Sequence, residues 1–228
     1  MEKRSPHCKL PAVKFFVEAG KVRTTHSARV GANELGLDFS DMLAVVMAMA
    51  TQTAAGAPSL ESFQVTFQGR LQALDTTYGL LGQGGWFSVD LADIINAELR
   101  PFRNGNGHDN FRLRGAPLAL NASAAMVMGM AMHELVTNAV KYGALSTTLG
   151  RIEIGWETVG EGFALRWTET GGPAATKPRT EGFGSTLIRR SVEHELDGTA
   201  RFAFLPEGLQ FSLDAPLENL VRRPETVA

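Results

Sequence analysis

A group of polar side chains shares one helix near the middle of the chain, in the segment HELVTNAVKYGALS at 133–146. Glu134, Asn138 and either Lys141 or Tyr142 lie three or four residues apart, so they occupy one face of the helix while apolar residues occupy the other. Such a polar face is usually solvated surface. A carboxylate and an amide in this arrangement also offer ligands for an amine and for Mg²⁺.

Two glycine-rich loops follow this helix. ETGGP, at 169–173, comes directly after a predicted strand, and EGFGS, at 181–185, comes directly before a predicted helix. Glycines let a backbone approach a ligand closely, and the N–H groups at a helix start bind anions. Either loop alone is weak evidence, because tight turns also use glycine. With the polar helix face, the loops predict a nucleotide pocket: a carboxylate for the adenine amine, Asn138 for Mg²⁺ and loop amides for the phosphates.

The elements before this pocket are two helices with apolar stripes. The first runs from Asn33 to about Ala55, and the second from Leu60 to Leu81, with Ser59 as its N-cap and GQGG as its end. Joined by a short loop, they form a helical hairpin too slender to bury both stripes by itself. It pairs either with a second copy, giving a four-helix bundle, or with the rest of its own chain, and the periodicity leaves both open.

Beyond GQGG, strands and helices interleave. The pattern predicts a helix capped by Ser88, a strand at NFRLRG, a long helix from Asn121 to about Gly143, strands at GRIEIGWET and GFALRWTET, a helix ending at SVEHELDG, and a hairpin with its turn at PEG. The short turns between strands favour an α/β sandwich, with a mixed sheet and helices on one face, over a doubly wound parallel sheet. We therefore predict an α+β protein, a helical hairpin followed by this sandwich.

Composition narrows the function classes. The formal charge of −2 and the scattered basic residues give no reason to expect nucleic-acid binding. The single cysteine, Cys8, rules out an intramolecular disulfide and a multi-thiolate metal site, and suits the cytoplasm. The longest apolar runs are shorter than the roughly 18 residues that a membrane span needs. We expect 1–32 to be a tail or linker, not a signal peptide.

Three segments carry a family resemblance. HELVTNAVKYGALS, WTETGGP and EGFGSTLI, in this order and spacing, closely resemble the ATP-binding domain of the HWE class of sensor histidine kinases, relatives of the Bergerat-fold ATPases. The letters of the class name match His133, Trp167 and Glu169. The resemblance covers about 33–217 and implies a dimerisation hairpin, a Bergerat-fold sandwich, ATP and Mg²⁺ as cofactors, and a response regulator or partner kinase.

The resemblance also implies roles for individual residues. Glu134 and Asn138 belong to the N box, with Asn138 on Mg²⁺, and Glu169 takes the place of the adenine-binding acid. Trp167 supports the pocket without touching ATP. The other residues that the resemblance places at the nucleotide are Lys141, Tyr142, Gly171, Gly172, Gly182, Phe183, Gly184 and Ser185.

His133 has two interpretations. A histidine beside a carboxylate is a candidate catalytic residue, as a general base or phosphoacceptor, but it is as often a structural residue behind a pocket. The resemblance favours the supporting role, because the phosphate-accepting histidine of such kinases lies on the preceding hairpin.

The acceptor position departs from the family pattern. The class has a segment like ELNHRVKN there, whereas this chain reads ELGLDFSDML, with Leu37 in place of the histidine and Asp41 in place of the usual asparagine. Leucine has no nucleophilic atom. His26 and Asp38 are poor substitutes, since an isolated histidine in a polar segment is usually just exposed and Asp38 has no dedicated acidic Mg²⁺ pocket.

These observations lead to two main hypotheses. The first is a two-component histidine kinase module that binds ATP but does not phosphorylate itself at the usual position; the second is a non-catalytic dimeric scaffold that binds ATP and docks a response regulator or kinase. An anti-sigma type serine kinase and an ATP-driven conformational ATPase are weaker alternatives. The predicted regions are a tail at 1–32, a hairpin at 33–85, an ATP-binding domain at 86–218 and a tail at 219–228.

Overall fold

The computed structural model describes residues 39–57, 59–83, 88–103, 110–176 and 183–221. The chain divides into two compact units, with the boundary between Asp75 and Thr76. In the described ranges, no helix combines the length and the apolar character that crossing a membrane requires. Leu37 and His26 lie outside these ranges.

The described part of the first unit contains two helices. Helix α1 spans Phe39–Gly56, and helix α2 spans Leu60–Gln83 and continues past the unit boundary. Ser59 caps α2 as predicted, because its hydroxyl accepts a hydrogen bond from the Ser62 N–H at 3.1 Å. The predicted start of α1 at Asn33 is outside the described residues.

One apolar cluster connects the two described helices of this unit. Its described buried cluster consists of Ala50 and Ala54 of α1 and Phe63 of α2. The Phe63 ring stacks on that of Phe67, which is half-buried, with 5.4 Å between the ring centroids.

The second unit is a mixed sheet covered by helices. Besides the end of α2, it contains β1 (Val89–Asp90), α3 (Leu91–Leu99), β2 (Phe111–Arg114), β3 (Ala119–Leu120), α4 (Ala122–Tyr142), β4 (Arg151–Val159), β5 (Gly162–Thr170), α5 (Phe183–Leu196), β6 (Thr199–Leu205), β7 (Gly208–Pro216) and α6 (Leu217–Leu220). The main sheet has the order β2-β4-β5-β7-β6. Only the β2–β4 pair is parallel. The sheet is therefore mixed, as predicted.

One face of this sheet packs against the helices. Alternate residues of the two central strands, such as Ile154 and Leu165, are buried in one apolar cluster with residues of α3, α4 and α5. The opposite face carries exposed ion pairs, including Arg112 with Glu153 at 3.3 Å. The predicted sandwich, with helices on one face, is confirmed.

The helix predicted to start at Ser88 begins later. Val89 and Asp90 are extended and pair with Leu120 and Ala119, so they cannot join the helix. Asp90 is the N-cap: one carboxylate oxygen accepts from the Ala92 N–H at 2.8 Å, and the other accepts from the Leu118 N–H at 3.1 Å. The Ser88 prediction is wrong, because the Asp90 carboxylate accepts hydrogen bonds both from the helix and from Leu118, just before β3.

Candidate nucleotide-binding site

Helix α4 is the central element of the site. It begins at the Asn121 cap, whose side-chain oxygen accepts a hydrogen bond from the Ala124 N–H at 2.9 Å. It ends at Gly143, whose N–H donates to the Ala139 oxygen. Its apolar residues are buried in the main cluster with the sheet, and α3 and α5 both pack against it. This packing holds the polar residues of its C-terminal half in a fixed direction.

The polar face of α4 becomes more exposed toward its C-terminus. Glu134 is only 6% exposed and packs against Gly184, in the first turn of α5. Asn138, one turn later, is half-buried, and Lys141 and Tyr142 are exposed. The structure therefore orders the predicted residues from a buried carboxylate, through an accessible amide, to a cation and a ring at the surface.

His133 points away from this face. Its Nδ1 lies 3.1 Å from Oε2 of Glu98 on α3, and both side chains are mostly buried. The pair links two helices of the sandwich. This contact fits the supporting interpretation, and a catalytic role for His133 stays a prediction without a contact that supports it.

Glu169 occupies the end of β5 and is 2% exposed. Its Oε2 accepts a hydrogen bond from the Ala144 N–H at 2.7 Å, and its Oε1 accepts one from the Trp167 indole N–H at 3.1 Å. Burial raises the pKa of this carboxyl above its ordinary value of 4.5, and the two hydrogen bonds oppose part of that rise. The side chain that the sequence assigns to adenine is thus also an internal hydrogen-bond acceptor.

The glycines around Glu169 make room for its side chain and for the adjoining loop. A Cβ at Gly143 would collide with the Glu169 carboxylate, and a Cβ at Gly172 would lie 2.7 Å from the Ala144 Cα. Gly171 has a φ of 72°, a left-handed conformation that glycine adopts without strain. The Thr147 hydroxyl donates to the Gly171 oxygen at 2.8 Å and so connects the loop after α4 to the ETGGP loop.

The second glycine loop is described in part. Gly182 lies outside the described residues, and for Phe183 only the backbone is described, as the start of α5. Gly184 and Ser185 are half-buried in the first turn of that helix. The structure therefore brings α4, the end of β5 and the start of α5 into one region of the second unit, as the nucleotide prediction requires.

The oxygen ligands that this site offers suit a metal ion that is coordinated mainly by phosphate. No group of three or more histidine, cysteine, aspartate or glutamate side chains in the described ranges could hold a metal ion. Mg²⁺ bound to ATP takes most of its ligands from phosphate oxygens and water, and needs few from protein. The half-buried Asn138 amide can supply one such oxygen.

Sequence reasoning missed the partners that hold the site residues. Trp167 and Glu169 are two apart on a strand, so their shared face was predictable from the strand period. Glu98 and the Ala144 amide come from other elements, and no local pattern identifies them. They become visible only when the helices are packed.

A family model described as HWE histidine kinase matches residues 39–117. A second model, described as the motility quorum-sensing regulator that is the toxin of MqsA, matches residues 5–54, mostly outside the described ranges. We assign no function from this second match, because the curated relatives that match over most of the chain are histidine kinases.

Among curated proteins, the chain is similar to the blue-light-activated histidine kinase of Brucella anthropi. The two are 32% identical over 188 residues, which is 81% of this chain and 38% of that protein. The corresponding protein of Brucella ovis is 32% identical over 190 residues, 82% of this chain and 39% of that protein. The chain thus spans less than two fifths of the length of these curated relatives.

Solved structures show the same fold. The histidine kinase domain of the Erythrobacter litoralis EL346 blue-light activated histidine kinase superposes with a TM-score of 0.59 and 15% identity, over 84% of this chain and 94% of that chain. A longer structure of that kinase gives 0.61 and 16%, over 86% and 61%. These likenesses confirm a helical hairpin followed by a Bergerat-fold sandwich.

Proposed function

We propose, because the chain belongs to the HWE histidine kinase family, that it binds ATP with Mg²⁺ and transfers the γ-phosphoryl group to a histidine side chain. The observation that carries the proposal is the buried carboxylate of Glu169 at the end of β5, beside the C-terminal end of the helix that bears Asn138. A buried carboxylate can accept a hydrogen bond from the adenine amine, and an accessible amide oxygen can bind the metal ion at the phosphates.

In this proposal each element binds one part of the nucleotide. Glu169 accepts a hydrogen bond from the adenine amine, and Asn138 offers its oxygen to the metal. Lys141 is exposed on the same face as Asn138 and attracts the phosphates. The backbone N–H groups of Gly171 and Gly172, and those at the start of α5, complete the phosphate contacts.

The transfer itself needs positioning more than covalent chemistry by the protein. An imidazole nitrogen of the acceptor attacks the γ-phosphorus, the bond to the β,γ-bridging oxygen breaks, and ADP leaves with that electron pair. The proton on the other imidazole nitrogen passes to solvent. Bound Mg²⁺ supplies neutralisation of the phosphate charge. The protein's part is to hold the nucleotide in line and to limit water in the site.

The accepting histidine comes from a second protein in this proposal. Leu37 stands where the class has its histidine, and Leu37 lies outside the described residues, so the argument here is one of residue type. The acceptor then belongs to a partner histidine kinase, from which a response regulator receives the phosphoryl group. The single cysteine suits a reducing compartment, and the proposal places the reaction in the cytoplasm.

The hairpin at 33–85 forms a homodimer or a mixed dimer in this proposal. The small described core of the first unit supports this, because the half-buried Phe67, Leu71 and Leu74 retain apolar surface that a second hairpin would cover. A mixed dimer would bring a partner's histidine to this ATP site.

Binding and labelling of the chain alone test the proposal. Calorimetry with ATP and Mg²⁺ should show binding, and incubation with γ-labelled ATP should leave this chain without an acid-labile, base-stable phosphate, the kind that a histidine carries. Asn138→Ala is the matched control for the binding assay. The absence of binding would refute the nucleotide site, and a histidine-type phosphate on this chain, for example on His26, would refute an acceptor supplied by a second protein. Binding without transfer to any kinase partner would favour the non-catalytic scaffold.

A further inference from the structure

We propose that Trp167 is a positioning residue that fixes the Glu169 carboxylate, and through it the turn after α4, so that adenine binds to a pre-oriented acid. This inference deepens the proposed function and depends on it for the identity of the ligand. The hydrogen bonds on which it rests are features of the protein without ligand.

Glu169 is held from two sides. The Trp167 indole N–H donates to Oε1 at 3.1 Å, and the Ala144 N–H donates to Oε2 at 2.7 Å. Trp167 is fully buried in the apolar cluster, so its indole has no freedom to follow a moving carboxylate. Ala144 begins the turn directly after α4, and the carboxylate therefore joins β5 to the end of the Asn138 helix.

The surroundings leave the carboxylate little other space. Gly143 contacts its Oε2 so closely that a Cβ could not be accommodated there. Two hydrogen bonds and this close backbone approach thus favour one side-chain orientation.

This arrangement still permits a ligand bond. Each carboxylate oxygen has two lone-pair sites, and each accepts one internal bond, so one site on each oxygen can accept from an adenine amine. Because the acid is already oriented, ligand binding does not have to pay the entropy of ordering a free side chain. The two donors also favour the ionised carboxylate, in which every lone pair of both oxygens is an acceptor.

Trp167→Phe tests the inference, with Trp156→Phe as the matched control. Trp156 is a buried tryptophan on the same sheet face, and its indole N–H donates to the Ala116 oxygen at 2.8 Å. Trp156 pairs with Leu165, which precedes Glu169 by four residues on β5. Trp156 therefore lies roughly 13 Å from the Glu169 position along the strand direction. Both variants lose one indole hydrogen bond, and only W167F loses the bond to the acid.

The first readout uses the protein without nucleotide. W167F should raise the midpoint of the Glu169 carboxyl titration, followed by ¹³C NMR, because the lost N–H donor had favoured the charged form. It should also speed hydrogen exchange of the Ala144 amide. W156F should change neither. An unchanged midpoint and unchanged exchange in W167F would overturn the inference, whether or not the chain binds ATP.

The second readout is ATP affinity by calorimetry. W167F should weaken ATP binding about tenfold, as expected for losing a hydrogen bond to a charged group, and W156F should leave it unchanged. Equal affinities in W167F and wild type would overturn the positioning role. Wild-type protein that binds no ATP, while W167F still shifts the titration, would refute the proposed function and leave the role of Trp167 in fixing the carboxylate supported.

A second variant covers the case in which W167F does not fold. Glu169→Gln keeps the side-chain volume but offers one acceptor oxygen to two N–H donors. Faster Ala144 exchange and weaker ATP binding in E169Q would support the inference, and wild-type values for both would overturn it.

Discussion

In the part of the chain that the structure describes, the two units differ in the extent of their buried apolar clusters. In the second unit, one buried cluster extends from Leu81 to Leu220 and includes every helix layer and the central strands. In the first unit, the described buried cluster contains three side chains. Because its cluster joins helices and strands of one unit, we expect the second unit to be stable by itself. The half-buried Phe67, Leu71 and Leu74 of the hairpin retain apolar surface that a partner could cover.

The units also differ in how they use buried polar groups. In the hairpin, the Arg70 guanidinium donates to the Thr53 hydroxyl at 2.7 Å, and that hydroxyl donates to the Met49 oxygen at 2.7 Å. This chain of bonds connects the two helices. In the sandwich, the buried carboxylates of Glu134 and Glu169 lie at the edge where nucleotide binding is proposed. Buried polar groups thus connect the two helices in the hairpin, whereas in the sandwich they lie at the proposed nucleotide site.

Leu165→Ala should have the largest effect on stability. Leu165 is fully buried in the centre of β5, and the cavity left by truncation should cost about 2–5 kcal/mol in the free energy of unfolding. Urea denaturation measures the loss. Val159→Ala, at the exposed end of β4, is the control and should be near neutral. A small loss for Leu165→Ala would contradict the view of the sandwich as the self-sufficient unit.

Asn138→Ala should weaken binding of ATP with Mg²⁺ on the order of a hundredfold, because the helix loses its oxygen for the metal. Calorimetry measures the affinity. Asn96→Ala changes an exposed asparagine of α3 and should leave binding intact. Equal affinities for the two variants would show that Asn138 is not a ligand.

Leu71→Glu tests the proposal that the apolar stripe of α2 is a dimer surface. Leu71 is half-buried on the apolar stripe of α2, and a charge there should weaken dimerisation at least about tenfold while ATP affinity stays the same. Sedimentation analysis of both variants compares it with Gln72→Glu, which places the same charge on the next, exposed residue. If L71E dimerises like Q72E, the stripe is not the dimer surface.

His133→Gln should lower the free energy of unfolding by about 1–2 kcal/mol, because the mostly buried Glu98 carboxylate loses its partner. ATP affinity should remain near the wild-type value. His194→Gln, at an exposed position of α5, is the control for both measurements. A strong loss of phosphoryl transfer with normal stability would instead assign His133 to the chemistry.

The pH dependence of stability should report Glu169. Its pKa is raised in the folded protein, so the folded state holds a proton that the unfolded state has released. The free energy of unfolding should therefore fall as pH rises from 4.5 to the raised value, by at most about 1.4 kcal/mol per pH unit, and then level off. Glu169→Gln should remove this fall, and exposed Glu157→Gln should retain it. If wild type and Glu169→Gln show the same pH dependence of stability, the raised pKa of Glu169 would be contradicted.

The sequence predicted what depends on local periodicity. The 3.6-residue stripes gave α1, α2 and α4, and the strand alternation with its PEG turn gave the β6–β7 hairpin. The cap at Asp90 was missed, because the second bond of its carboxylate reaches Leu118, which is far along the chain. The residues of the polar face were predictable from spacing, but their partners Glu98 and Ala144 depend on helix packing and the path of a turn.

Phosphoryl transfer in trans tests the central claim, a complete ATP site beside a missing acceptor, most directly. The purified chain is mixed with an HWE-class kinase that keeps its acceptor histidine but has its own N-box asparagine replaced by alanine, and γ-labelled ATP is added. We predict an acid-labile phosphate on the partner's histidine that disappears when this chain carries Asn138→Ala. An unlabelled partner, or a label on residues 33–50 of this chain, would contradict the account.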